Sequence, residues 1–332
     1  MFFVDLILLC LLICGIILAL CVGKYSVSPL ESIQILARRL FGLSSDAPQM
    51  TQNVVMGLRV PRILASIIVG AALSMSGAAY QGVFKNPLVS PEFLGVSSGA
   101  CIGAALAILF SLTTLYISIF AFVGGIVAVV LTLTIPTLIK NRSNLVLVLS
   151  GIIVGSALSS VFGFIKYTAD PDTQLASITY WTMGSFSYIK LSELLVVMAV
   201  IIVPAILLVL MSWWIDVLSL GEDEAHSLGA NVKLIRGLVI ICSTILTAGS
   251  VCIAGTIGWV GLIIPHFGRM LAGPANRRLI PLCGLLGGLF MLLVDTLTRT
   301  IGIEEMPVSI LTGIIGAPFY CFLLFRQRRT LS

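Results

Sequence analysis

Charge is what this 332-residue chain lacks. Only 10% of its residues are Asp, Glu, Lys or Arg, against about 25% in a soluble domain whose surface faces water. Nineteen Lys and Arg with fourteen Asp and Glu cannot coat a soluble globule of 35.4 kDa. The shortage excludes a water-soluble fold, and nucleic-acid binding with it, because that works through a charged surface. Histidine is scarcer still: His226 and His266 are the two present, too few for a His-rich metal site. The eight cysteines form no CxxC pair and fall in or beside apolar runs, where they read as small packing residues. No catalytic triad, paired-carboxylate site or Gly-rich phosphate loop is present, so no enzyme chemistry is expected within the chain. Its longest polar stretch, 23–58, is too short for a soluble domain with its own core. Any ATP hydrolysis then belongs to another subunit.

What the chain has is apolar length. Hydrophobic residues make up 58% of it, and mean hydropathy is +1.13. A spanning helix needs roughly 20 apolar residues, and the runs are long and unbroken, unlike the alternating strands of a barrel. Ten spans are expected, near 3–22, 61–82, 93–110, 115–139, 145–166, 192–214, 236–256, 259–271, 279–298 and 308–325. The fold class is therefore an all-α polytopic membrane protein, with 1–332 as one transmembrane domain. The eighth span is too short to cross alone and is expected to enter through an irregular Gly255–Gly258 stretch packed inside protein. The first reads as a retained helix rather than a signal peptide, because it lacks a basic n-region and contains Asp5.

Ten crossings put both termini on one side. The tail arginines Arg326, Arg328 and Arg329 assign that side to the cytoplasm, together with Lys85, Lys140, Arg142, Arg277 and Arg278 in the loops. A second group of cations, including Arg59 and Arg62, remains outside. Positive charge held there suggests a task. Small residues recur four apart, as in Gly99/Gly103, Gly284/Gly288 and the stripe Gly151, Gly155, Ser159, Gly163. Such faces let helix backbones approach closely; the alternative is a pore lined by small groups.

The stretch from Gly57 to Gly103 is the most informative. Arg59 and Arg62 flank Pro61 at the mouth of the second span, Asn86-Pro87-Leu88 forms a tight turn, and Ser90-Pro91-Glu92 suits a helix start. Here the chain resembles the permease family of ABC importers for ferric siderophores, haem and cobalamin. The resemblance rests on LRVPR (58–62), GAALSMSGAAYQ (70–81), NPLVSPEFLG (86–95), LGEDEAHSLG (220–229), IGWVGLIIPHFGRM (257–270) and GAPFYCFLL (316–324), in the family's order over essentially the whole chain. It implies a homodimer of ten-helix subunits around one path, in a bacterial or archaeal cytoplasmic membrane. Two cytoplasmic ATP-binding subunits would carry ATP and Mg, an extracytoplasmic substrate-binding protein would dock opposite, and this chain would hold no cofactor. A ferric siderophore is the leading cargo, with haem, cobalamin and molybdate-type oxyanions as alternatives. An ion-coupled secondary transporter is the rival reading, which the few ionisable groups within the spans disfavour.

The resemblance also implies site residues. Arg59, Arg62 and Arg299 would meet acidic groups of the binding protein, although Arg299 has Asp295 one turn away on its own helix. In the loop 215–235 the acids of Glu222–Glu224 and a Gly stop predict a short helix outside the membrane. By resemblance it is the helix that couples to the ATPase, a segment beginning at Leu220 and Gly221: Leu220, Ala225, Leu228 and Gly229 give an apolar fit, and Glu222, Asp223 and Glu224 its polar edge. Asn86, Leu88, Ser143 and Asn144 would close the cytoplasmic gate. Ser150, Ser156, Ser159 and Ser160 either line a wet cavity or bond to their own helix. His266 reads as structural or coupling, and Asp170-Pro171-Asp172 as a capped turn and not an iron site.

Overall fold

The computed structural model describes residues 2–43, 47–141, 143–187, 189–302 and 304–331. Ten long or apolar helices occupy the expected spans. They are α1 (Phe2–Cys21), α4 (Val60–Phe84), α5 (Val96–Leu109), α6 (Thr114–Leu138), α7 (Asn144–Thr168), α9 (Leu191–Leu220), α11 (Val232–Ala254), α12 (Val260–Ala272), α13 (Asn276–Thr298) and α14 (Val308–Leu331). Seven reach the length and hydropathy of a full span, α4 as part of the stretch Gln49–Phe84; α5, α12 and the apolar part of α14 are shorter. Short helices α2 (Pro29–Leu40), α3 (Gln49–Gln52), α8 (Gln174–Met183) and α10 (Glu222–Ser227) lie between them. A π-helical turn at Asn53–Arg59 leads into α4, and a 3₁₀ turn at Pro91–Leu94 precedes α5.

The bundle is built around α4, whose spanning stretch is 78% buried, with α11 at 72% and α13 at 61%. By contrast α1, α6, α7 and α9 keep most of their surface outward. Close approach requires glycine. A Cβ on Gly70 would collide with the Gly287 carbonyl, and one on Gly77 with that of Gly261, so α4 meets α13 and α12 backbone to backbone. Gly99 and Gly103 of α5 face Gly124 and Phe120 of α6 in the same way. The stripe on α7 behaves differently. Gly151 abuts the Phe93 carbonyl, whereas Gly163 has nothing within 4 Å.

The eighth span enters as expected. Helix α11 stops at Ala254, the chain runs irregularly to Trp259, and α12 begins at Val260. The break is sewn into protein: Thr256 donates to the Thr182 carbonyl at 2.6 Å, and Ser185 N–H donates to that of Ala254 at 2.9 Å. Trp259 takes φ +74° there and packs on Gly316 and Tyr320 of α14. Two elements differ from the sequence reading. Helix α2 was hidden in the polar stretch 23–58, although Ser28, which caps it by accepting from Glu31 N–H at 3.2 Å, is a capping-box signal. The third span begins at Val96, because residues 85–95 descend as turns.

Candidate translocation path and partner sites

The bundle has two ends, called here the arginine end and the loop end. At the arginine end α1 finishes beside the start of α4, and α14 begins; both termini therefore lie at the loop end. Arg59, Arg62 and Arg299 do gather at one end, but their guanidiniums turn inward: the residues are 5%, 8% and 7% exposed. Arg59 donates to the carbonyl of Leu20, in the last turn of α1 where helix carbonyls lack intrahelical partners, and to that of Tyr25 just beyond the helix. Arg299 donates to the Ala19 carbonyl. Arg62 holds both oxygens of Asp295 at 2.8 and 3.0 Å and reaches Glu305 at 2.7 Å. The anticipated outward collar is thus corrected to an internal clamp joining α1, α4, α13 and the loop before α14. Its physical reason is burial, since cations at this depth need acceptors. Glu305 alone of the clamp's acids reaches the surface. Partial burial raises its carboxyl, but hydrogen bonds from Ser187 and Arg62 outweigh that and hold it below the usual carboxylate range.

At the loop end the expected short helix is α10. Asp216, near the end of α9, fixes its base by accepting from Asn276 N–H at 2.6 Å and from Arg277 N–H at 3.1 Å, across to α13. Ala225 is fully buried, which corrects its expected place on the outward apolar face. That face consists of Leu220 and Leu228, 63% and 56% exposed. Glu222, Asp223 and Glu224 stay exposed beside them. Arg236 reaches Glu222 at 2.6 Å, and this bond and charge hold its carboxyl below the usual range. Gly221 (φ +152°) and Gly229 (φ +81°) bracket the helix in conformations open to glycine.

The two segments expected to form the gate lie side by side. Asn144 Nδ2 donates to the Phe84 carbonyl at 3.4 Å, Asn86 Oδ1 accepts from Leu88 N–H at 2.9 Å, and Ser143 caps α7. Leu88 is left 47% exposed. Arg142 beside them lies outside the described residues, as do the side chains of Arg326, Arg328 and Arg329.

Further along, α7 presents Ser156, Ser159, Ser160 and Gly163 on its exposed side. Ser150 is buried and bonds back to the Val146 carbonyl at 2.7 Å, so it does not line a cavity. Ser160 bonds to the Ser156 carbonyl at 3.1 Å yet stays exposed. Ser159 borders a pocket of about 280 Å³ shared with Glu92, Ser98 and Thr256, a carboxylate the sequence reading assigned only to a helix start. The larger cavity, about 690 Å³, lies elsewhere, between α6, α8, α9 and α11. Its exposed Leu115, Tyr180 and Val196 make it an apolar groove on the bundle's flank. His266 packs against Phe319 of α14, and Asp170 accepts from Thr173 as α8 begins.

Comparison with known proteins agrees with this architecture. The model of the FecCD transport family matches residues 11–326. The chain is 40% identical to the molybdate import system permease protein of Haemophilus influenzae, covering 96% of this chain and 94% of that one. It is 37% identical to the hemin transport system permease protein of Yersinia pestis, over 84% and 85% of the two chains. Among solved structures, an inward-facing metal-chelate type ABC transporter superposes with a TM-score of 0.86 at 36% identity, covering 96% of this chain and 97% of the other. Matched by the family model over residues 11–326 and by such permeases over nearly its whole length, the chain belongs to the FecCD transport family, as a membrane permease subunit of an ABC importer whose ATPase is a separate subunit.

Proposed function

We propose that two copies of this chain enclose a path for a metal chelate, with a ferric siderophore as the leading cargo. One observation carries the path, namely that the exposed side of α7 bears Ser156, Ser159, Ser160 and Gly163 in mid-span; similarity to metal-chelate and hemin permeases supports the cargo class. Hydroxyls facing hydrocarbon are unfavourable, so this face belongs against water or a second copy of the chain. The loop end then faces the cytoplasm, where Leu220 and Leu228 fit an ATPase cleft and Glu222 to Glu224 border it. The gate at Asn86, Leu88, Ser143 and Asn144 lies on the same side. The arginine end receives the binding protein, with Glu305 as the exposed edge of the clamp.

Molybdate is the second reading, favoured by the identity to the Haemophilus influenzae permease. Reconstitution in proteoliposomes with the partner ATPase and binding protein separates the cargoes. ATP-dependent uptake of a ferric siderophore, and not of molybdate, haem or cobalamin, is the expected result. Uptake of molybdate alone transfers the assignment to the second reading; no ATP-dependent uptake of any of the four defeats the metal-chelate proposal.

A further inference from the structure

Glu92 is the one carboxylate bordering the polar pocket beside α7. The 3₁₀ turn that carries it is rigidly seated: Pro91 and Leu94 are buried, Thr132 donates to the Leu94 carbonyl at 3.0 Å, and Gly151 leaves room only for the Phe93 carbonyl. Because Phe93 packs on Gly151 and Gly95 lies by Gly155, Glu92 is level with the second and third turns of α7. That is roughly 10–17 Å along the helix from Asn144, at 1.5 Å per residue, and so well inside a hydrocarbon layer of about 30 Å. Buried Pro91 and Leu94 point one way, and exposed Glu92 the other. Ser97, Ser98, Ser159 and Thr256 line the same pocket, with the Thr256 hydroxyl donated to the Thr182 carbonyl. Ser98 and Ser159 lie 3.4 Å apart, bridging α5 and α7. Among the described residues the carboxylate has neither an ion-pair nor a hydrogen-bond partner. A structural carboxylate at this depth would be paired; this one is held, unpaired, toward the path.

Resting on the proposed path, we infer that Glu92 and the serines lining its pocket form a charge-selecting subsite for neutral or cationic chelates rich in hydroxyl, amide or amine donors. The same group works against dianionic oxyanions. The carboxylate accepts hydrogen bonds from such donors, and the serines supply both donors and acceptors. A dianion at this point meets like charge, which discriminates by repulsion. The subsite thus favours neutral or cationic chelates over molybdate, and leaves anionic ferric chelates on the disfavoured side with it.

The test uses the permease assembled with its ATPase in vesicles. Ser98→Cys, and separately Ser159→Cys, is modified with a cationic and with an anionic methanethiosulfonate, and the labelled peptide is quantified by mass spectrometry. The cationic reagent is expected to react faster at both positions. Glu92→Gln should lower the cation-to-anion rate ratio roughly five- to tenfold, as loss of one nearby charge dictates, and Glu92→Asp should preserve it. A ratio unchanged by Glu92→Gln overturns the subsite while leaving the path intact. Absence of labelling at both cysteines in every nucleotide state overturns the path itself, and the subsite falls with it.

Discussion

At the scale of single residues, the clamp at the arginine end separates a buried ion pair from a half-exposed one. Asp295 is fully buried and takes both hydrogen bonds from Arg62 Nε. Removing its charge leaves the guanidinium without its buried counter-ion, a change that costs roughly 3–5 kcal/mol in comparable sites. Asp295→Asn should therefore lower the apparent Tm of the detergent-solubilised chain by on the order of 10 °C. Glu305, whose side chain is 38% exposed, should cost under about 1 kcal/mol when changed to Gln. Equal losses from the two variants would contradict the burial argument. The acidity of Glu305 gives a second check. Its carboxyl is held below the usual range, so the bridge contributes above that range and is lost as pH falls through the depressed value. Tm should stay level down to about pH 5 and drop below the ordinary carboxylate range near 4, and Glu305→Gln should shrink that drop. Sequence revealed the arginines because cations beside a span mouth stand out. It did not reveal what they hold, since Asp295 lies 233 positions from Arg62 and carbonyl acceptors leave no mark on composition.

Elements carry the next distinction, between small residues that pack and small residues that open. Gly77 meets the Gly261 backbone directly, whereas Gly163 has open space. Gly77→Val should abolish assembly of the bundle, seen as loss of a monodisperse detergent peak, while Gly163→Val should fold normally. The spacing of four was legible in the sequence on α5, α7 and α13. Which face of α7 meets a neighbour was not, because the Phe93 carbonyl that fills Gly151 comes from an irregular turn. The ten spans themselves were readable from apolar length. The short α5 and α12 were harder, because turns at 85–95 and 255–259 complete their crossings without helical periodicity. The loop-end helix α10 was foreseen from its acids and Gly stop, yet Ala225 was misplaced, since six residues turn too little to fix a face from sequence. With Leu220 and Leu228 as the outward pair, Leu228→Asp should leave the folded permease intact but sever ATP hydrolysis from uptake. The measurement is the number of ATP molecules consumed per cargo imported in proteoliposomes, and an unchanged ratio would remove α10 from the coupling role.

The whole molecule poses the question that one subunit cannot answer, namely what covers α7. Outward-facing Ile152, Ile153 and Val161 on the same helix are apolar and suit lipid or a protein neighbour, but the exposed Ser156, Ser159 and Ser160 between them suit neither hydrocarbon nor a dry interface. The proposed function accounts for both characters by placing this helix at the edge of a water-filled path between two subunits, its apolar flank sealed by a neighbour and its hydroxyls wetted. Two measurements then have to agree. Native mass spectrometry of the solubilised permease should show two copies of the chain, since one copy leaves the polar face uncovered. Ser156→Leu with Ser160→Leu should preserve that dimer, because neither hydroxyl supports packing in the subunit, and should still suppress ATP-driven uptake by at least tenfold by drying the path. If the double variant transports at the normal rate, the polar face is not the path. If it falls apart into single subunits, these serines sit in the dimer contact and the path must run along another face of the bundle.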